Sequence, residues 1–418
     1  ALDQVEADLH TTATTTNLSV ALYMLAMAIF PLWWSTISDA TGRRSVYLVS
    51  MALGVVFAVL AAISRSIAML IVMRLLSGGA AASVQAVGAG TVADLWEPRE
   101  RGRAMGIFFL GPQLGPLVAP IVGGALADRW GWRSTMWLIV IVAGATLGAL
   151  LLLLPETMEH RRSVWTATDD GEAAWTRYAR GLRMLLLDPF RIVLNLQYPA
   201  VLLTVYSSSV SFFFLYVTNI SLETSFAKAP YRFGTLLLGL VYIPNSLGYM
   251  AASVVGGRWM DHVMKREAHR AGRYTAQGTP HFLPEDRMRE NAWVGALCYP
   301  AAMIWYGWTV DKGIAWPVPL VANFFMGFGA MLGMGIAATM LTEFVPGKAS
   351  QGVALAVFVR NTFACIGTII ASPAIDGVGN GWLFTILGLI GLASSLVIPA
   401  IRIWGPRWRQ SMDGRLGN

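Results

Sequence analysis

The sequence is poor in charge. Asp, Glu, Lys and Arg make up 13% of its 418 residues, about half the ~25% usual in a soluble domain. Water is therefore not the main solvent of this chain. Cysteine is nearly missing as well: Cys298 and Cys365 stand alone in two separate apolar stretches. That excludes a disulfide framework, a paired-thiol redox motif and a cysteine zinc cluster, and leaves the two as small packing residues. No histidine and no carboxylate lies in the middle of a long apolar run; Asp39, Asp94, Glu223, Asp261, Glu343 and Asp376 all sit at run ends. Without a His, Asp or Cys constellation there is no candidate catalytic residue, metal site or cofactor site, and a membrane enzyme is the reading least supported.

What the sequence has in abundance is apolar length. Hydrophobic residues reach 55% and the mean hydropathy is +0.55. Runs of about twenty apolar residues, enough to cross ~30 Å of hydrocarbon, occupy eleven windows. They lie near 16–38, 45–64, 68–93, 102–126, 133–154, 196–219, 233–256, 291–310, 317–341, 349–373 and 381–404. If Arg43 and Arg44 mark the cytoplasmic side, alternation assigns the other connections to inside or outside, and 23 of the 31 Lys and Arg residues then fall inside. Six lie outside and two, Arg74 and Arg360, within spans. This asymmetry follows the positive-inside rule, so the net charge of +7 reports membrane topology and not a nucleic-acid partner.

The windows divide five and six around a hydrophilic stretch, one short of two equal six-helix halves. A further helix is expected ahead of the first visible window, so the windows are numbered as spans 2 to 12. The expected organisation is an N-terminal helical bundle over 1–154, a cytoplasmic central loop over 155–195 and a C-terminal bundle over 196–404. The second bundle carries a cytoplasmic loop at 257–290, and a cytoplasmic tail follows at 405–418. The end of the central loop, Gly181 to Arg191, mixes cations with a tight apolar cluster. It reads either as a flexible linker or as a short helix on the inner membrane surface.

Three stretches carry chemistry. Between spans 2 and 3 the chain reads Ser35-Thr-Ile-Ser-Asp39-Ala-Thr-Gly42-Arg43-Arg44. Asp39 at an inner helix end can face the positive N-terminus of another helix, Gly42 permits a tight turn, and the arginines can pair with carboxylates or lipid phosphates. A weaker echo, Gly256-Gly-Arg-Trp-Met-Asp261, stands at the equivalent place in the second half. On span 4, Arg74 precedes Gly78 and Gly79, and Asp94 closes the span. A cation inside a span is costly unless it faces a polar partner or snorkels to the surface. Span 5 reads Gly106-Ile-Phe-Phe-Leu-Gly111-Pro112-Gln-Leu-Gly115-Pro116. Its small residues at spacing four suit close helix packing and its prolines free backbone carbonyls, which together suggest a tightly packed hinge.

These stretches resemble the loop motif, the span 4 R-x-x-x-G motif and the antiporter motif of the major facilitator superfamily. Ser35 departs from the first position of the loop motif, and Pro116 stands where the antiporter motif has a second glycine. With Leu154-Pro-Glu-Thr157, Ser83 to Asp94 and Glu97 to Ala104, the chain looks similar to the fungal twelve-span drug:proton antiporter branch, the quinidine-resistance, dityrosine and polyamine exporters. The resemblance covers nearly the whole chain and implies an all-α membrane protein of two helical bundles, eleven of whose twelve helices are present. It also implies that Asp94 pairs with Arg43, and that Asp39, Gly42, Arg43, Arg44, Gly111, Pro112, Gly115 and Pro116 serve gating.

Transporter sites of this kind lie near the midplane between halves, so polar or aromatic residues deep in spans are the substrate and coupling candidates. They are Arg74, Gln85, Gln113, Phe213, Tyr216, Tyr242, Asn245, Asn323, Arg360 and Asn361. Each amide could instead bond between helices, and each aromatic could fill space. The expected function is export of small organic compounds by alternating access across the plasma membrane. Protons are the expected exchange partner, although no mid-span acid is visible to carry them. Alternatives are a facilitator or importer of sugars or organic acids, and a nutrient sensor that does not transport. The charge asymmetry makes one topological prediction: a single cysteine placed within 257–290 will not react with an impermeant maleimide added to intact cells, and will react after permeabilisation.

Overall fold

In the computed structural model, residues 2–157, 187–274, 282–344 and 349–416 are described. Among them every long element is a helix and none is a strand. The first half of the chain supplies α1 (Leu2–Asp8), α2 (Ala13–Ile29), α3 (Pro31–Thr41), α4 (Arg43–Ala62), α5 (Ile67–Ala81), α6 (Ser83–Leu95), α7 (Pro98–Trp130) and α8 (Trp132–Leu153). The second supplies α9 (Asp188–Arg191), α10 (Pro199–Ala227), α11 (Thr235–Leu240), α12 (Ile243–Arg270), α13 (Glu290–Asp311), α14 (Pro317–Phe344), α15 (Ala349–Ser394) and α16 (Val397–Leu416). Local chemistry sets many of the boundaries. Pro31 starts α3, where a missing N–H costs nothing. The Ser66 hydroxyl accepts from the Met69 amide to cap α5. Gly379, at φ +77°, divides α15 into two helices.

Contacts divide the chain into two units that do not follow its order. One holds 1–95, 119–194 and 347–361; the other holds 96–118, 195–346 and 362–418. Both α7 and α15 therefore give one part to each unit. In the first unit α2 packs on α5, α4 on α5 and α8, and α3 on α6. Its interior is built largely from small residues, among them Ala58, Ala61, Ala82, Ala86 and Ala89. At one end Val46, Tyr47 and Val87 close against Trp34, Ile37 and Leu150.

The second unit is arranged around α14, which packs on α10, α12 and α13 and buries 72% of its apolar window. Phe214, Met303, Tyr306 and Phe384 fill the core beside it. Glycine decides how near the neighbours come. A Cβ on Gly248 of α12 would run into the Phe324 carbonyl, and one on Gly327 of α14 would meet the Asn245 backbone. These are contacts that only hydrogen fits, the packing mode of helices in lipid, where apolar side chains gain nothing from leaving their solvent.

The outer faces name that solvent. The apolar window of α8 is 0% buried, and Leu152 and Leu153 are 86% and 79% exposed. In water each such leucine would forgo about 1.5–3 kcal/mol of burial, a loss that hydrocarbon removes. Eight helical stretches among the described residues are long and apolar enough to cross a membrane.

The second hydrophilic segment departs from the expected loop. The stretch 257–270 continues α12 as helix, because Glu267 stays buried by pairing with Arg266, Arg270 and Arg289 at 3.3, 3.4 and 2.6 Å. A 3-10 turn at Pro284–Arg287 then leads into α13. The chain after 404 is likewise helical, as the end of α16. Of the surface helix expected over Gly181–Arg191, α9 forms the last turn and runs into a 3-10 helix at Ile192–Gln197; the remainder lies outside the described residues.

The glycine contacts predict that Gly248→Leu lowers stability by about 1–3 kcal/mol through overpacking. Thermal unfolding of the purified protein in detergent, followed by tryptophan fluorescence, measures this, with Gly144→Leu on the open face of α8 as the neutral control.

Candidate functional site

The loop between α3 and α4 builds the first charge cluster. Gly42 turns the chain at φ +96°, and a Cβ there would press on the Glu156 carboxylate at 2.5 Å. This lets Glu156 accept from the Arg43 amide at 2.9 Å. The Arg43 guanidinium is 1% exposed and reaches Asp39 at 2.6 Å and Asp94 at 2.8 Å. It also donates to Ser38 and Ser350 at 2.9 and 3.0 Å. Ser350 in turn donates to Asp39 at 2.6 Å. Asp39 thus stands at the first turn of α15, where helix amides favour a negative charge. Arg44 points elsewhere and donates to the Leu151 carbonyl at 3.1 Å, covering an end carbonyl of α8.

The second unit repeats the arrangement with different parts. Asp261 on α12 accepts from the consecutive amides of Gly102 and Arg103 on α7, at 2.8 and 2.7 Å. A side chain at Gly102 would collide with that carboxylate. Arg287 is 0% exposed and reaches Asp261 at 3.1 Å and Glu343 at 2.7 Å. It also donates to the Pro98 carbonyl at 2.5 Å, and Arg101 joins Glu343 at 3.4 Å. Burial alone would lower the Arg287 pKa, but the charges of Glu343 and Asp261 outweigh it and raise the value. Just beyond, Arg266 donates twice to Glu290, at 2.6 and 2.8 Å, holding that carboxyl down at about 2. Glu290 therefore stays ionised at physiological pH; its contribution exists above the ordinary glutamate range and is lost only as pH falls through about 2.

Span 5 is packed through two of its glycines. It is one helix, α7, and its close contacts fall at Gly102 and Gly106, where a Cβ would meet Asp261 and the Ser253 carbonyl. Gly111 and Gly115 are exposed, and a Cβ on either meets nothing within 4 Å. Among the described residues, then, nothing packs closely at Gly111. Pro112 is exposed beside it. The side chains of Gln113 and Pro116 lie outside the described residues.

The substrate candidates are partly gathered. Arg360 donates to Gln85 at 2.9 Å, and Asn361 reaches the Met27 carbonyl at 3.5 Å. Arg74 lies over the Tyr23 ring at 5.3 Å and donates to the Met136 sulfur at 3.7 Å, with its Nε unpartnered among the described residues. In the second unit Tyr242 donates to the Asn219 carbonyl at 3.3 Å, and Tyr216 packs on Phe212. Phe213 packs on Phe214 and covers Gly367. Asn323 is fully buried with both amide atoms unpartnered among the described residues, as is the Asn245 side-chain oxygen. Each such atom costs about 1–3 kcal/mol unless water or a ligand meets it. Sequence reasoning missed Ser350, Glu156, Arg287 and Glu343 as cluster members, although Pro155-Glu156 and the dense charge of Pro284-Glu-Asp-Arg287 were visible signals.

Comparison with known proteins agrees with this geometry. Residues 1–372 match the family model described as the Major Facilitator Superfamily. The chain is 48% identical to the MFS transporter OpS2 of Beauveria bassiana, over 79% of this chain and 97% of that protein. It is 32% identical to the MFS antiporter QDR3 of Candida albicans, over 99% of this chain and 76% of that one. Among solved structures, that of the human organic anion transporter MFSD10 superposes with a TM-score of 0.68 at 18% identity, covering 95% of this chain and 88% of the other. At that identity the likeness is one of fold.

Removing Arg287 would strand two carboxylates. Arg287→Ala is expected to cost about 3–5 kcal/mol, and Asp261→Asn combined with Arg287→Ala less than the sum of the single changes. Unfolding free energies of the three variants form the double-mutant cycle that checks this.

Proposed function

Since the chain belongs to the Major Facilitator Superfamily, and is therefore a multi-pass membrane transporter and not an enzyme, we propose that it exports small organic compounds by alternating access. The proposed cargo is of the drug, polyamine or metabolite class, the exchange partner is the proton and the place is the plasma membrane. The observation that carries the reading is the pair of matched clusters. Asp39 is tied to Ser350 and Asp261 to the amides of Gly102 and Arg103, so each joins helices from opposite halves of the sequence. Movement of one half against the other has to break both. Each break exposes an aspartate and a guanidinium that water can solvate at the inner surface and hydrocarbon cannot. That makes two defined states, the requirement for a switch.

Within this reading Asp39, Arg43, Asp94, Asp261 and Arg287 close the inner side, and Gly42 shapes the loop that presents them. Gly111, Pro112, Gly115 and Pro116 supply a weak stretch of α7, where prolines lack the N–H of the helix ladder. Gln85, Arg360 and Asn361 are the proposed substrate residues in one unit; Tyr242, Asn245 and Asn323 are those in the other. Exchange is supported by the name of the Candida albicans relative, an antiporter; the proton as the exchanged ion is our proposal. A facilitator or importer remains the second reading, since no acid stands mid-span in this chain.

Asp39→Asn and Arg43→Ala are expected to reduce efflux at least tenfold while surface level falls by less than half, estimates of order of magnitude from the loss of one gate contact. Parallel loss of efflux and surface level would leave the cluster a folding element only. In proteoliposomes, an imposed inward proton gradient should drive export. Flux indifferent to its collapse would remove the proton.

A further inference from the structure

Where α7 and α12 meet through glycine, their flanking side chains frame a cavity of about 580 Å³. We propose that this cleft is a binding site for the phosphate-bearing headgroup of an anionic phospholipid. Its basic members are Arg258, His262 and Lys265, which follow one exposed face of α12, and Arg103 across from them on α7. None of the three permanent cations has a carboxylate partner among the described residues. Of the two acids lining the cleft, Asp261 is already engaged by Gly102, Arg103 and Arg287. Glu100 alone remains, so three cations face one free acid.

The apolar surroundings point to a lipid and not to a soluble anion. Beyond the basic residues, α7 exposes Ile107 at 58% and α12 exposes Val255 at 52%, and both stripes continue along the helices through Leu114 and Leu247. Trp96 stands 41% exposed at the polar end, the place of an interfacial anchor. An acyl chain laid along these stripes brings its headgroup to the cations. The charge asymmetry assigns this end to the cytoplasmic leaflet, which carries the anionic lipids, and basic pockets between helices on that side suit phosphorylated headgroups.

The test uses the full-length protein in nanodiscs of phosphatidylcholine doped with phosphatidylinositol 4-phosphate, with retained lipid counted by native mass spectrometry. Wild type is expected to retain the phosphorylated lipid over phosphatidylcholine. Arg258→Gln with Lys265→Gln should weaken retention roughly thirtyfold, and Arg258→Lys with Lys265→Arg should preserve it. Should the double glutamine variant fail to purify as a single species, Lys265→Gln alone, on an exposed position, is expected to lose about fivefold. Equal retention by wild type and the glutamine variants overturns the site. Displacement of the lipid by inorganic phosphate at the same concentration also overturns it, since the occupant would then be a free anion.

Discussion

Two arginines held almost entirely out of solvent, Arg43 and Arg287, each bridge two carboxylates. A guanidinium in that position pays a desolvation cost of several kcal/mol, which only well-directed partners offset. The fork of Arg43 is filled by Asp39, Asp94, Ser38 and Ser350; that of Arg287 by Asp261, Glu343 and the Pro98 carbonyl. Each arginine thereby fixes an aspartate whose remaining bonding capacity goes to a helix beginning. The positions of α15 relative to α3 in one unit, and of α7 relative to α12 in the other, follow from those bonds.

Close backbone approach is the second condition, and glycine satisfies it where the aspartates act. Gly102 admits the Asp261 carboxylate to consecutive amides, and Gly106 admits the Ser253 carbonyl one turn on. In the first unit Gly42 performs the same service for Glu156, and Gly78 and Gly79 let α5 rest on Tyr23 and Phe30 of the α2 end. The R-x-x-x-G spacing on α5 thus has a packing meaning beside the electrostatic one: the glycines bring Tyr23 within reach of Arg74.

The apolar windows and the Asp39-to-Arg43 part of the first cluster were readable because both are local. Twenty apolar residues announce a span wherever it packs, and Asp39, Gly42 and Arg43 lie within five positions. The second cluster was half-hidden because its parts are scattered. Arg287 is 26 positions from Asp261 and 56 from Glu343, in a stretch whose composition reads as solvated loop. The helical continuation to Arg270 was hidden for the same reason, since Glu267 and Arg289 stand far apart in sequence and pair only in the fold. Gly106 and Gly111 could not be told apart by spacing, because a run of small residues says that a helix can approach but not how it is rotated.

Arg74 sets what can come near it inside the first unit. It meets the Tyr23 ring and the Met136 thioether. An aromatic face and a sulfur offset about 0.5–2 kcal/mol, well below the cost of a cation in a low-dielectric interior. Among the described residues no carboxylate completes the account at Arg74. A cationic compound brought within 4 Å of Arg74 would meet a repulsion of ~4 kcal/mol at an effective dielectric of 20. A neutral or anionic compound meets no such barrier, and an anionic one gains what Arg74 lacks. Within the proposed class of drugs, polyamines and metabolites, a substrate site that included Arg74 would therefore favour the neutral and acidic members.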